Sequence, residues 1–294
     1  MWVEMITPGS IAGPTQLSES RKRALLALLG DEDPVVFEAV RSQLLLHGQE
    51  VVEWLEPHVL SPDPLLRRRA KEIIAHFSRQ TADIQFLQFC LKQGEDLDLE
   101  TGAWLLATTQ FPEICVDGYR AVLDDFTAEL RDRRIVTGDA EEVLERINDH
   151  LFGTLNFRGN EENYYDPDNS YLNRVVDRRT GNPIALSILY IVIARRLRLP
   201  VAGIGLPGHF ICRFQSSLAE LYIDPFNRGR LLTKADCLQY LMQGTLGLRD
   251  DDLSPVSSRR MLLRVCGNLH QIYARQKQLE QVTRLQRYIV ALAR

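Results

Sequence analysis

From Asn182-Pro183 to Leu197 the chain is apolar on nearly every side. Ile184, Leu186, Ile188, Leu189, Ile191, Val192, Ile193 and Leu197 leave no stripe for water until Arg195-Arg196. Such a helix is stable only when other elements enclose it, so this segment predicts a buried central helix, N-capped by Asn182. A membrane also accepts an apolar helix, but the longest uninterrupted hydrophobic run, Ile188–Ala194, falls far short of the roughly 18 residues a span requires. The full chain of 294 residues, 45% of them hydrophobic, is ample to build the enclosure. At about 150 residues per domain that length suggests roughly two domains.

After the helix the hydrophobic period changes. Val201–Leu206, Phe210–Phe214 and Leu221–Ile223 read as three short strands, separated by Pro207-Gly208 and by the polar turn Gln215–Ser217. Helix, strand, strand, strand predicts an α+β core with a small antiparallel sheet. His209 opens the second strand and Asp224 ends the third. Antiparallel neighbours can bring these side chains into hydrogen-bond reach, where a carboxylate fixes the imidazole tautomer and stabilises its protonated form. Ser187 lies one helical turn beyond Pro183 on the same helix face. It is a candidate hydroxyl nucleophile, although a Ser in an apolar helix also bonds backbone carbonyls. Cys212 is three residues past His209 and so faces the other side of its strand.

The flanks read as helices. Asp33-Pro34 and Asp63-Pro64 open two helical patterns thirty residues apart, and Val51, Val52, Trp54, Leu55 and Val59 form a stripe between them. Over residues 15–80 this helix-turn-helix unit resembles HEAT-type repeats, whose stacked hairpins commonly present a binding surface. An irregular bundle of well-capped helices is the alternative. Helical pattern continues in Ile84–Leu91, Gly102–Thr108, Ile114–Leu130 and Ala140–Phe152. From Ser257 onward a final hairpin carries eight Lys/Arg and one acid, Glu280. The acid-rich stretch Asp124–Asp149 is its expected intramolecular counterpart.

Composition narrows the function. The net charge is −4 and the basic residues form no nucleic-acid signal. Cys90, Cys115, Cys212, Cys237 and Cys266 form no Cys-x-x-Cys pair and are expected to be reduced and mostly buried. His209 and Asp224 could supply two metal ligands, but no third has suitable spacing, so no metal is expected. Phosphate-binding loops are absent, and no cofactor is expected. Met1-Trp2-Val3-Glu4-Met5 has neither the basic nor the apolar region of a signal peptide. The expectation is a cytoplasmic protein without nucleic-acid or membrane contacts.

Between Asn156 and Asn173 the chain turns rich in Asn, Tyr, Asp and Gly, the texture of a long functional loop. Tyr164, Asp166, Asn169 and Asn173, with Arg178, Asn182 and Pro183, are candidate cleft residues. The same Asn and Asp side chains can instead satisfy their own backbone through Asx-turns.

Several motifs now stand in order: Gly159-Asn160, YYDPDNSYL over Tyr164–Leu172, RRTGNPIAL over Arg178–Leu186, GLPGHF over Gly205–Phe210 and YIDPFNRG over Tyr222–Gly229. Across residues 98–250 they resemble the transglutaminase-like superfamily, and within it the core-two branch of SirB-like bacterial proteins. The resemblance implies a papain-like α+β core, with a nucleophilic Cys opening the central helix and His and Asp on adjacent strands. His209 and Asp224 match the base and its orienting acid. Counting back from Leu199-Pro200 by the family's spacing puts the nucleophile at Pro183, which has no acidic heteroatom, so thiol acyl transfer from this position is chemically impossible. Members of the branch often carry C-terminal tetratricopeptide-like helices, and Asn268-Leu269 and Tyr273 resemble the first of them.

The expected organisation is a HEAT-like helical region over 1–95, a transglutaminase-like core over 96–250 and a tetratricopeptide-like hairpin over 251–294. The expected function is a noncatalytic protein-interaction or regulatory scaffold whose cleft takes a peptide or an extended side chain. The alternative is a hydrolase or amidase using His209 as general base, Asp224 as orienter, and Ser187 or a water as nucleophile. A third class, a helical adaptor with a structural centre, is also open.

Overall fold

The computed structural model describes residues 17–92, 94–95, 97–132, 139–242 and 253–294. The five N-terminal residues read for a leader lie outside them. The chain divides into two compact units between Thr81 and Ala82.

The first unit is helical. Ser18 caps α1 (Glu19–Leu29), and Asp33 caps α2 (Pro34–Leu46) by accepting the Val35 N–H at 2.8 Å. Helix α3 (Glu50–Leu55) runs into a 3-10 turn over Glu56–Leu60. Asp63 then accepts the Leu65 N–H at 2.8 Å to open α4 (Pro64–Cys90). Both Asp-Pro pairs therefore start helices, by the capping chemistry their spacing suggested. Leu25, Leu29, Phe37, Val40, Leu44, Val51, Leu55, Ile73 and Phe77 form this unit's core. Two expected helices merge in α4, because no Gly or Pro interrupts Ala70 through Leu87 and a helix continues until something stops it.

The second unit is built around the apolar helix. Helices α5 (Leu99–Gln110), α6 (Val116–Asp132) and α7 (Ala140–Asn148) precede a two-residue parallel ladder of β1 (Arg158–Gly159) and β2 (Thr180–Gly181), with α8 (Leu172–Arg178) between them. Next comes α9 (Pro183–Arg196), in which every residue from Pro183 to Ala194 is buried. It leads into β3 (Val201–Leu206), β4 (His209–Gln215), β5 (Glu220–Asp224) and β6 (Arg230–Leu232), then α10 (Lys234–Met242) and β7 (Pro255–Val256). The sheet is antiparallel throughout, in the order β6-β5-β4-β3-β7. Alternation along β4 sorts its two faces. Phe210, Cys212 and Phe214 join the core around α9, whereas Ile211 joins Ile204, Leu206 and Tyr222 in a smaller cluster with Cys237 and Leu241 of α10.

The C-terminal hairpin, α11 (Ser258–Arg275) and α12 (Leu279–Leu292), lies within this same compact unit. Met261, Leu262, Val265, Cys266 and Leu269 of α11 share the main core with α5 and α9. Gly102 permits the approach of α5 to α11, since a Cβ there would come within 2.5 Å of Leu262 and 2.9 Å of Phe89. Arg259 locks the hairpin. Its buried guanidinium donates to the carbonyls of Gly94 (2.8 Å), Cys90 (3.0 Å), Leu292 (3.4 Å), Ala291 (3.5 Å) and Lys92, satisfying carbonyls left over at the ends of α4 and α12. The unit also takes in the end of α4, where Phe86, Phe89 and Cys90 pack into the main core.

The expected pairing of the basic tail with Asp124–Asp149 is not what the described residues show. Arg284 faces Asp83 at 4.0 Å, and Asp124 pairs with Arg196 at 2.7 Å. Residues 133–138 of that acidic stretch lie outside the described ones. Among the described residues no helix is long and apolar enough to cross a membrane.

Candidate ligand-binding site at the start of the central helix

His209 is placed by a tight hairpin. Pro207-Gly208 joins β3 to β4, Gly208 takes φ +69°, and His209 pairs with Leu206 as the first ladder position after the turn. Ile223 lies opposite Cys212, so extending the register sets Asp224 beside Ile211, on the His209 face of the sheet. The two side chains meet there. His209 Nε2 and Asp224 Oδ2 are 2.8 Å apart.

Asp224 is held from all sides. Its carboxylate also accepts the backbone N–H groups of Phe226 and Asn227, both at 3.2 Å, and the Asn227 side-chain amide at 2.8 Å. Burial alone pushes this carboxyl up, but the His209 hydrogen bond and charge, together with the Asn227 donors, outweigh it and hold the group below its ordinary value. The tautomer that donates Nε2–H to Asp224 leaves Nδ1 as an acceptor. That is the state a general base needs.

A cavity of about 270 Å³ opens at the N-terminus of α9, lined by Tyr164, Tyr165, Asn182, Pro183, Ile184, Gly208, His209, Phe210, Arg264, Asn268, Gln271, Ile272 and Arg275. His209 and Pro183 thus border one space, as the resemblance implied for base and nucleophile. The position that would carry the thiol carries a pyrrolidine ring. His209 also borders a second cavity of about 430 Å³, shared with Asp224, Phe226, Asn227 and Tyr240.

The other expected site residues divide between the cavity wall and the loop behind it. Asn182 lines the cavity and works as an N-cap, its Oδ1 accepting the Ala185 N–H at 2.9 Å while its amide donates to Ser170 Oγ at 2.8 Å. Tyr164 lines the cavity beside Tyr165 and packs edge-on to Phe226. Asp166, Asn169, Asn173 and Arg178 are not among the lining residues. Asn169 donates to the carbonyls of Asn163 (2.7 Å) and Tyr164 (3.2 Å) and accepts from Asn160 (2.8 Å). Arg178 clamps Asp166 (2.9 Å) and Asp168, and Asn173 is buried in α8. Asn169 and the Arg178 clamp tie the loop to itself, and the loop in turn presents the two tyrosines. Ser187 is 0% exposed and donates to the Phe210 carbonyl at 3.4 Å, outside the cavity lining. Cys212 faces α9, 3.6 Å from the Ser187 carbonyl, and burial drives its thiol pKa far up.

Most of the cavity wall, nine of its thirteen described lining residues, was not read as site from the sequence. Arg264, Asn268, Gln271 and Arg275 recur along α11 at steps of four, three and four, a polar line on one face of a helix whose other face is buried. The line was legible in principle. Its destination was not, because α11 reaches the cavity only through the tertiary fold. Among the described residues no group of three His, Cys, Asp or Glu could hold a metal ion.

A buried helix whose N-terminus meets a His-Asp pair on adjacent antiparallel strands is a transglutaminase-like arrangement, and residues 117–267 match the family model described as the Transglutaminase-like superfamily. The chain belongs to that superfamily. It is similar to a UPF0162 protein of Xylella fastidiosa (strain 9a5c), 34% identical over 202 residues that cover 65% of this chain and 70% of the relative. F-box only protein 21 of Mus musculus is 34% identical over 136 residues, covering 44% of this chain and 21% of that protein. Protein SirB1 of Salmonella typhimurium is 25% identical over 150 residues, covering 49% of this chain and 55% of that one, consistent with the SirB-like branch. No solved structure matches the chain.

Proposed function

We propose that this chain is a noncatalytic transglutaminase-like module, a cytoplasmic protein-interaction scaffold whose cleft at the start of α9 holds a peptide or an extended side chain. One observation carries the reading. The cavity at the start of α9 has Pro183 at the nucleophile's position, and among the described residues that line it there is no Cys, Ser or Thr. His209 also borders the second cavity, whose lining includes Cys237, but burial pushes that thiol up to about 12, so neither space offers the base an activated nucleophile and binding is the use left to the first. The five cysteines are all free, which suits a reducing compartment. The helical hairpins of the first unit, if HEAT-like, add a second binding surface.

The test is affinity capture with the full chain, comparing wild type with Tyr164→Ala and His209→Ala, each checked for native folding by circular dichroism. Partner capture that drops in both variants supports the cleft. Capture unchanged in both removes the cleft from the function and favours a helical adaptor.

The intact His209–Asp224 pair at 2.8 Å favours one other reading, hydrolysis of an amide or ester by a bound water with His209 as general base. Turnover of any acyl or amide substrate that vanishes in folded His209→Ala would establish it and overturn the noncatalytic reading.

A further inference from the structure

Among the described residues the cavity at the start of α9 is lined by cations and no anions. Arg264 and Arg275 both border it, and no Asp or Glu does. Among the described residues neither arginine has a carboxylate within ion-pair distance. Arg264 donates to the carbonyls of His209 (2.7 Å) and Leu206 (2.9 Å) and lies over the Phe210 ring at 5.3 Å. Burial pulls its pKa below the ordinary value, the mark of a guanidinium that has lost water without gaining a counter-ion. Arg275 sits over the Tyr165 ring at 4.5 Å. Ile184 adds the positive end of α9, a helix of 14 residues whose Ala185 N–H is already capped by Asn182. Three sources of positive potential thus converge on one cavity.

Their spacing is informative. Arg264 and Arg275 stand at the two ends of the polar line on α11, eleven residues apart, or about 16 Å along the axis at 1.5 Å per residue. Asn268 and Gln271 lie between them. A primary amide both donates and accepts, which is what an extended peptide backbone requires of a neighbour. Four residue steps of extended chain cover about 13 Å, and two glutamate side chains at its ends reach over the remaining few ångströms.

We propose that this cavity binds an extended acidic peptide segment, with one carboxylate at Arg264 beside His209 and a second, about four residues along, at Arg275. The proposal rests on the cleft reading above and names its ligand class. A neutral carboxamide side chain fits less well, since it leaves both guanidinium charges uncompensated.

The probes are acetyl-Glu-Ala-Ala-Ala-Glu-amide and its uncharged counterpart acetyl-Gln-Ala-Ala-Ala-Gln-amide, titrated into the full chain by calorimetry. Replacing charge-assisted hydrogen bonds by neutral ones predicts an affinity ratio of at least about tenfold in favour of the Glu peptide. Raising the ionic strength weakens the Glu peptide and not the Gln peptide. Arg275→Gln, at an exposed side chain that lies over Tyr165 and makes no hydrogen bond among the described residues, narrows the ratio by about threefold or more while the thermal melt stays unchanged. Arg264→Gln narrows it further where that variant folds.

Equal affinity for the two peptides, no binding of either, or a ratio untouched by Arg275→Gln overturns the proposal. So does sodium phosphate that displaces the Glu peptide at equal concentration, which marks a general anion site. Equal affinity leaves the cleft reading standing. Release of ammonia from the Gln peptide overturns only the noncatalytic reading, and leaves the preference for carboxylates to be decided by the affinity ratio.

Discussion

Replacing Pro183 by cysteine asks whether the start of α9 still activates a thiol. The variant puts a sulfhydryl at the first position of a buried helix, in the cavity that His209 borders. An ordinary cysteine with pKa of about 8.5 is roughly 3% thiolate at pH 7. A helix N-terminus and an adjacent imidazole lower such a thiol to about 7, where roughly half is thiolate. The gain in thiolate is then about fifteenfold. Intrinsic nucleophilicity falls with pKa, by about fivefold over 1.5 units at a Brønsted slope near 0.5. The rate at neutral pH therefore rises only about threefold, and the midpoint of the pH profile is the sharper readout.

The background is favourable for that measurement. Burial pushes Cys90 and Cys237 up to about 12 and also raises Cys212 and Cys266 well above the ordinary thiol value, so these thiols stay silent, and Cys115→Ser removes the exposed one. Iodoacetamide alkylation followed by mass spectrometry across a pH series should give a midpoint of about 7 for the new cysteine, rising when His209→Ala is added. Loss of proline at the first helical position costs at most about 1 kcal/mol, a shift of about 2–4 °C in Tm. A midpoint at or above about 8.5, or one indifferent to His209, would refute the equivalence of Pro183 with the family's nucleophile position.

Three further perturbations address the scaffold of the site. Asp224 is held below its ordinary value of 3.8, so its contribution to stability is present above that pH and is lost as pH falls through the lower folded value. Urea unfolding across a pH series should therefore show the advantage of wild type over Asp224→Asn shrinking below 3.8, and an advantage unchanged in acid would contradict the carboxylate's charged state. Asn182→Ala removes the cap of α9 and a buried bond to Ser170, for a loss of about 2 kcal/mol in chemical denaturation. Arg259→Met strands the carbonyls at the ends of α4 and α12, and should cost about 3 kcal/mol, with hydrogen exchange rising in α11 and α12 first.

Local chemistry explains which parts of the fold were readable. The central helix was legible because Pro183 through Ala194 has no polar face, and β3, β4 and β5 because each is a short apolar run set off by turn residues. His209 and Asp224 were legible as a pair because one hairpin register joins them, and the structure sets them 2.8 Å apart. β6 and β7 were missed because three and two residues carry no period. The cavity was legible only in part. Asn182, Pro183 and Tyr164 line it as expected, whereas Asp166, Asn169 and Arg178 spend their polar atoms within the loop, as Asx chemistry allows. Arg264 and Arg275 had to wait for tertiary structure. Nothing within α11 says that its polar line faces a helix N-terminus some eighty residues earlier.

The proline that opens α9 removes more than a sulfur atom. At the first position of a helix the backbone N–H has no partner within the helix, and here it would stand at the wall of the cavity. Such a donor is what stabilises the oxyanion of a tetrahedral acyl intermediate, and proline has no N–H to give. One residue thus takes away both the group that would attack a carbonyl and a dipole that would receive the charge pushed onto its oxygen. Pro183→Ala would return the dipole alone, and Pro183→Cys would return both together.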